Sequence, residues 1–300
     1  MQISTSAFFR QNTENLQELK TQTVKLQEEI STGKKVNIAS DDPVAFSDLA
    51  LLKARDSRLQ QYSRNIDVAR QRLSLQESSL NQATNIITRL HELSIQGAND
   101  TLTVADRKLM STEVKGLGDS LYDLANTLDA NGQPIFGGYQ SEAAFEKTVD
   151  GAVIYRGDAY ETQQAVGDHE KIVVGLSGHE VFDRVPMSGA QSKSVFEIVK
   201  EMGDALANGD SPATGRDEIA SALEHVTAQL ALVGSRSAIL DTAAQKLQST
   251  QTATTSQISI LEDTNMEKAI SELTQKMTTI NAAQASFVKI SDLSLFNYLK

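Results

Sequence analysis

Four histidines are the first candidates for chemistry in this chain: His91, His169, His179 and His225. Imidazoles hold transition metals when two share a helix face at i,i+4 or flank a short loop. None of the four has such a neighbour in the sequence, so each reads as a surface or hydrogen-bonded histidine. Asp41-Asp42 could serve as an acid–base or metal pair. Pro43 follows, however, and the simpler reading is Asp42 as helix N-cap with proline at the first helical position, where its missing N–H costs nothing. "GQPIFGG" (132–138) lacks the Lys-Ser/Thr and the strand–loop–helix order of a phosphate loop. Arg156-Gly157-Asp158 matches an adhesion tripeptide but also fits a turn between two strands. Cysteine is absent, which removes disulfides, thiolate metal centres and cysteine catalysis. No convergent set of titratable groups remains. The chain reads as a non-enzyme with no cofactor and no metal.

The elements that would position such residues are mostly long helices. In 300 residues there are 17 glycines, 4 prolines, no tryptophan and a net charge of −11. An acidic balance argues against nucleic acid as a partner. No apolar run approaches the roughly 20 residues of a membrane-spanning helix, so no membrane insertion is expected. The N-terminus lacks the basic and apolar regions of a general secretory signal. Composition alone would place the chain in the cytoplasm.

Leu16, Leu19, Thr23, Leu26 and Ile30 are spaced 3-4-3-4, the seam of a first helix. Gly33 suits the left-handed position after it, with Lys34 and Lys35 near the negative end of that helix's dipole. Leu52, Leu59, Ile66, Leu73, Leu80 and Ile87 then recur every seven residues, so a second helix from Pro43 to about Gln96 would be roughly 80 Å long at 1.5 Å per residue. Gly97 can end it. Thr103 and Asp106 form a capping pattern for a third helix, whose apolar set is Leu109, Leu117, Leu121, Leu124 and Leu128. From there the period shortens. "AVIYRG", "ETQQAV", "KIVVGL" and "EVFDRV" read as strands of a small β domain. Helices return with "SKSVFEIVKEMGDALANGD". After "SPATGRDE" a last long helix repeats Val226, Val233, Leu240, Leu247 and Leu261, and its seam then shifts to Ile270, Leu273, Met277 and Ile280. Polar seam members Asn12, Gln76 and Thr254 read as register-setting.

The expected fold is mainly α: an elongated antiparallel helical bundle or coiled coil built from both chain ends, with a small inserted β domain. Residues 1–40 and 284–300 would be terminal helical segments, 41–130 and 190–283 a rod, and 131–189 the β domain. The extreme ends are rich in large apolar groups where termini are normally polar. Ile3, Phe8 and Phe9 stand at the start; Phe287, Val288, Leu293, Leu295, Phe296, Tyr298 and Leu299 stand at the end. At about 25 cal/mol per Å² of apolar area, such groups contribute substantially if covered. Either they cap the bundle core of one subunit or they dock into other subunits.

"STGKKVNIASDDPVA", "NGQPIFGGYQSEAAFE" and the terminal "AISELTQKMTTINAAQASFVKISDLSLFNYLK" resemble the flagellin superfamily, and within it the branch that joins flagellar hook to filament. The likeness covers roughly residues 1–146 and 215–300. Pro134 and Asn265-Met266 depart from the family's usual pattern. The resemblance implies a structural subunit exported unfolded through the flagellar type III apparatus without a cleavable signal peptide, which moves the expected location outside the cell. It implies three assembly partners: the first hook–filament junction protein, flagellin, and copies of this chain in a ring-like layer. It also allows an export chaperone at the C-terminal region. The alternative is a short flagellin that forms the filament itself; a further one is an adhesin or enzyme using the β domain. In such a family the 31–48 stretch links an inner terminal helix to an outer bundle. Lys34, Lys35, Asp41 and Asp42 then join the apolar terminal residues as candidate assembly contacts.

Overall fold

A computed structural model describes residues 2–158, 160–187 and 191–296; the side chains of 2–6, 8, 213, 214 and 290–296 are outside it. Six helices carry most of these residues: α1 (Gln2–Thr32), α2 (Pro43–Gly97), α3 (Val104–Ala125), α4 (Val195–Asn208), α5 (Ala213–Glu262) and α6 (Met266–Phe296). The chain divides into two compact units, residues 1–58 with 250–300, and residues 59–249. It is mainly α with a small inserted strand region, as expected.

In the first unit α1 and α6 run antiparallel. Gly33 O accepts from Thr264 N (2.9 Å), Lys276 Nζ donates to Gln22 Oε1 (2.6 Å), and Phe9 meets Phe287 edge-on with ring centroids 5.3 Å apart. On α1 the seam faces inward as spaced: Thr23 and Leu26 are buried, and Leu16, Leu19 and Ile30 are half-buried. On α6 the expected seam is wrong in part. Leu273 and Ile280 turn inward, but Ile270 is 50% and Met277 47% exposed, while Ala269 is buried. The cause is a helix break at 263–265. Asn265 caps the new helix, its Oδ1 accepting from Lys268 N (3.0 Å), and the restart rotates the buried face onto Ala269 and Leu273.

In the second unit the seven-residue grids hold. Ile66, Leu73, Leu80 and Ile87 of α2, with Val226, Val233 and Leu240 of α5, lie in one continuous core. Thr103 and Asp106 make the expected capping box before α3. The α3 face is met in part: Leu121 is buried and Leu117 and Leu124 pack half-buried on the core, but Leu109 is 73% exposed, and Leu128, which lies past the helix end, is 53% exposed. Ser111, Val114 and Ala125 complete the buried stripe. Small residues bring α4 close, for a Cβ at Gly118 would stand 3.1 Å from Val199 Cγ1.

The inserted region holds three antiparallel hairpins: β1 (Phe145–Lys147) with β2 (Val153–Tyr155), β3 (Gln163–Ala165) with β4 (Lys171–Val173), and β5 (Val185–Pro186) with β6 (Ser192–Lys193). Of "EVFDRV" only Val185 enters a strand, β5. His179–Asp183 forms a π-helical turn, because Val181 and Phe182 are both fully buried and adjacent strand residues would face opposite sides. Phe136, Phe145, Phe182 and Phe196 pack there at centroid distances of 5.1–5.8 Å.

Gln76 joins helix to insert. It is fully buried; its Nε2 donates to Ile135 O (2.7 Å) and Leu176 O (3.3 Å), and its Oε1 accepts from Leu176 N (3.2 Å). Buried polar groups left unpaired cost about 1–3 kcal/mol. Gln76→Leu should therefore lower stability by at least ~1–3 kcal/mol in denaturant unfolding, whereas the exposed Gln82→Leu should change it by less than ~0.5 kcal/mol.

Candidate assembly surface in the paired chain ends

Two helix interruptions face each other in the first unit. Gly33, with φ 73°, ends α1, its N–H bonding Glu29 O (2.9 Å). Glycine suits this left-handed position because it has no Cβ. The break between α5 and α6 lies against it: Lys35 N donates to Glu262 O (2.8 Å) and Thr264 N to Gly33 O (2.9 Å). The two segments pair like a short antiparallel bridge, Lys34 opposite Asp263.

One carboxylate sits inside the joint. Glu262 is 6% exposed and its Oε1 takes ion pairs from Lys34 Nζ (2.7 Å) and Lys53 Nζ (2.8 Å). Desolvation by burial pushes its pKa up, but hydrogen bonds and charge from Lys34 and Lys53 outweigh it and hold the group below the usual glutamate range. Bonding to Glu262 in turn raises Lys34. Lys35 Nζ donates to Ile260 O (2.7 Å). The two lysines therefore serve the end of α5, not the dipole of α1 that precedes them.

The loop into α2 is closed by the acid pair. Asp42 is the N-cap, with Oδ1 accepting from Val44 N (3.1 Å) and Ala45 N (3.0 Å). Asp41 Oδ2 accepts from Asn37 N (3.1 Å) and Ile38 N (3.2 Å), and its Oδ1 pairs with Lys25 Nζ (3.1 Å). Those backbone donors, Asn37 first, and then Lys25 hold the Asp41 carboxyl below its usual range.

Around this joint large apolar side chains face outward. Val44 is 71%, Leu51 69%, Ile260 69% and Ile38 57% exposed. Leu51, Leu52, Ile260 and Leu261, with Asp48 and Gln257, line a groove of about 450 Å³. Clustered exposed apolar groups mark contact surfaces. Of the sequence candidates, Lys34, Lys35, Asp41 and Asp42 come together in the joint. Phe9 and Phe287 pack on each other, and Val288 is 57% exposed. The side chains of Ile3, Phe8, Leu293, Leu295 and Phe296, and all of Tyr298 and Leu299, lie outside the described residues. Glu262, Lys53 and Lys25 were not anticipated; the seam shift after Leu261, together with "EDTN", is the signal that marks the second break.

The other candidates are engaged inside the second unit. His179 Nδ1 lies 2.9 Å from Asp183 Oδ2 and its ring stacks on Tyr155. His225 Nε2 lies 2.7 Å from Glu180 O. Arg156 pairs with Glu146 (2.9 Å), and Asp158 accepts from Tyr139 N and Tyr160 N (both 3.1 Å). Among the described residues no group of three or more His, Asp or Glu is arranged to hold a metal ion.

The sequence matches the bacterial flagellin N-terminal helical region over residues 3–141 and the C-terminal helical region over 217–299. It is 29% identical to flagellar hook-associated protein 3 of Escherichia coli, over 100% of both chains. It is 30% identical to a flagellin of Clostridium tyrobutyricum, over 43% of this chain and 34% of that one. The crystal structure of a flagellar hook-associated protein 3 from Legionella pneumophila has the same fold, with TM-score 0.67 and 19% identity over 71% of this chain and 98% of that one.

The joint makes a pH-dependent prediction. A carboxylate whose folded pKa is lowered stabilises the fold above its unfolded pKa, and that contribution is lost as pH falls through the folded value. Glu262→Gln should lower the melting temperature at neutral pH. The gap from the parent chain should close on acidification through and below the ordinary glutamate range, as measured by calorimetry across pH. A gap independent of pH would mean that the pair contributes nothing.

Proposed function

Because this chain belongs to the bacterial flagellin family, we propose that it is a non-enzymatic structural subunit of the flagellum that joins hook to filament. The observation that carries this is the extent of the likeness. A hook-associated protein 3 aligns from end to end, whereas the flagellin match spans less than half of either chain. In this reading the chain is exported unfolded by the type III route and folds outside the cell at the hook–filament junction. Its neighbours are the first junction protein, flagellin and further copies of itself in a ring-like layer; an export chaperone engages the C-terminal region.

The joint supports such a role physically. A subunit that forms a layer must present its chain ends at a fixed angle, and paired breaks held by backbone bonds and a buried ion pair do so. The apolar groups left outside the joint then supply the contact area. Lys34, Lys35, Asp41 and Asp42 have partners within the chain, so their assembly role is to shape the surface as well as to touch neighbours.

A deletion strain should carry hooks without filaments and shed flagellin into the medium, as seen by electron microscopy. Filaments of normal length on that strain would sink the proposal, and purified protein that polymerises alone into long filaments would favour the short-flagellin reading. Leu51→Asp and Ile260→Asp should leave helix content and melting temperature nearly unchanged, because both side chains are largely in water, yet reduce incorporation into flagella. Removal of residues 287–300 should leave helix content nearly unchanged while abolishing incorporation; collapse of the whole fold would instead favour a core-capping role for the tail.

A further inference from the structure

Glu29 of α1 stands in a crevice of about 260 Å³ between the paired chain ends. Lys35 of the α1–α2 link, Asp263 of the break after α5, and Lys268 and Glu272 of α6 line the same crevice. Glu29 is half-buried, and its carboxylate takes no hydrogen bond or ion pair among the described residues. The neighbouring cations are committed elsewhere. Lys25, one turn earlier on α1, pairs with Asp41 (3.1 Å). Lys35 Nζ donates to Ile260 O (2.7 Å). Lys268 lies 3.8 Å from Glu272, and Lys276 Nζ donates to Gln22 Oε1 (2.6 Å).

The crevice is therefore crowded with negative charge. Burial pushes the Glu29 carboxyl above the usual glutamate range; Lys25 opposes the rise, and the charges of Asp41, Glu272 and Glu28 add to it. Glu262 makes the contrast within the same unit. It is the more deeply buried of the two, yet two lysines meet it at 2.7 and 2.8 Å. A half-buried carboxylate without such a partner is costly only while it is charged.

We propose that Glu29 is a proton-operated catch between α1 and α6: its charged form loosens the pairing of the chain ends, and its neutral form tightens it. A carboxyl whose folded pKa is raised destabilises the fold above that value. The penalty fades as pH falls through the folded value and is gone below the unfolded one. The sign is opposite to that of Glu262, so the same unit carries one carboxylate that holds it together at neutral pH and one that eases it apart.

The test follows melting of the full chain by calorimetry across pH. Glu29→Gln keeps the shape of the side chain and removes its charge, so it should raise the transition at neutral pH by about 1–2 °C. The gap from the parent chain should close on acidification through and below the ordinary glutamate range. Glu14→Gln, at an exposed position of α1, should leave the transition unchanged. Glu272→Lys supplies the missing cation, and in that background Glu29→Gln should raise the transition by less. At fixed neutral pH, amide exchange along α1 and α6 should slow several-fold in Glu29→Gln while α3 and α4 exchange as in the parent. A Glu29→Gln variant that melts at or below the parent at neutral pH, a gap that persists in acid, an increment untouched by Glu272→Lys, or unchanged exchange in α1 and α6 would each overturn the proposal.

Discussion

The first unit depends on two chain breaks falling opposite each other. A helix that stops leaves backbone carbonyls and amides without partners. Here Gly33, Lys35, Glu262 and Thr264 exchange those groups across the gap, so each break satisfies the other. The buried Glu262 would be costly alone. Two lysines, each about half in solvent, approach it from α2 and from the α1–α2 link, so the carboxylate is compensated while the cations keep much of their hydration. Such a pair is weak as a source of net stability, but removing one partner is expensive. Loss of either lysine would therefore leave Glu262 buried with less compensation.

The second unit solves a different problem. Short hairpins of two or three residues cannot hold themselves together. They are carried by an aromatic core and by polar side chains from the long helices. Gln76 and Arg72 of α2 reach the backbone of Ile135, and Gln76 also that of Leu176; Arg236 of α5 reaches Gly175. Each of these helical residues ties an irregular backbone group that would otherwise be buried without a partner. The insert is therefore part of the helical core and not a separately folded appendage.

Apolar groups left in water around the joint belong to the same economy of design. Val44, Leu51 and Ile260 are exposed although the adjacent seam positions Leu26 and Leu49 are buried. A helix pair can cover only one stripe on each helix, so a second stripe requires a further partner. In the proposed role as a flagellar subunit, a neighbouring subunit would cover that second stripe.

Much of this was legible in the sequence. The seven-residue grids of α2 and α5, the Thr103–Asp106 capping box, Gly33 in the left-handed region and Asp42-Pro43 at a helix start follow from local rules that act within a few residues. The family resemblance was legible because it rests on contiguous motifs at the chain ends. The misread elements failed where a distant partner decides. Val181 and Phe182 look like a strand until both must face the aromatic core; Leu109 looks buried until Ser111, Gly118 and Ala125 let α4 approach from another side; Ile270 and Met277 look like a seam until the break at 263–265 rotates the helix. Glu262 and its lysines are 228 and 209 positions apart, and nothing local marks them as partners. The sequence by itself determined where helices begin, end and carry an apolar stripe, because those depend on neighbours along the chain. Only the tertiary structure decided which stripe is covered and which charge is buried, because those depend on what another helix brings to the same place.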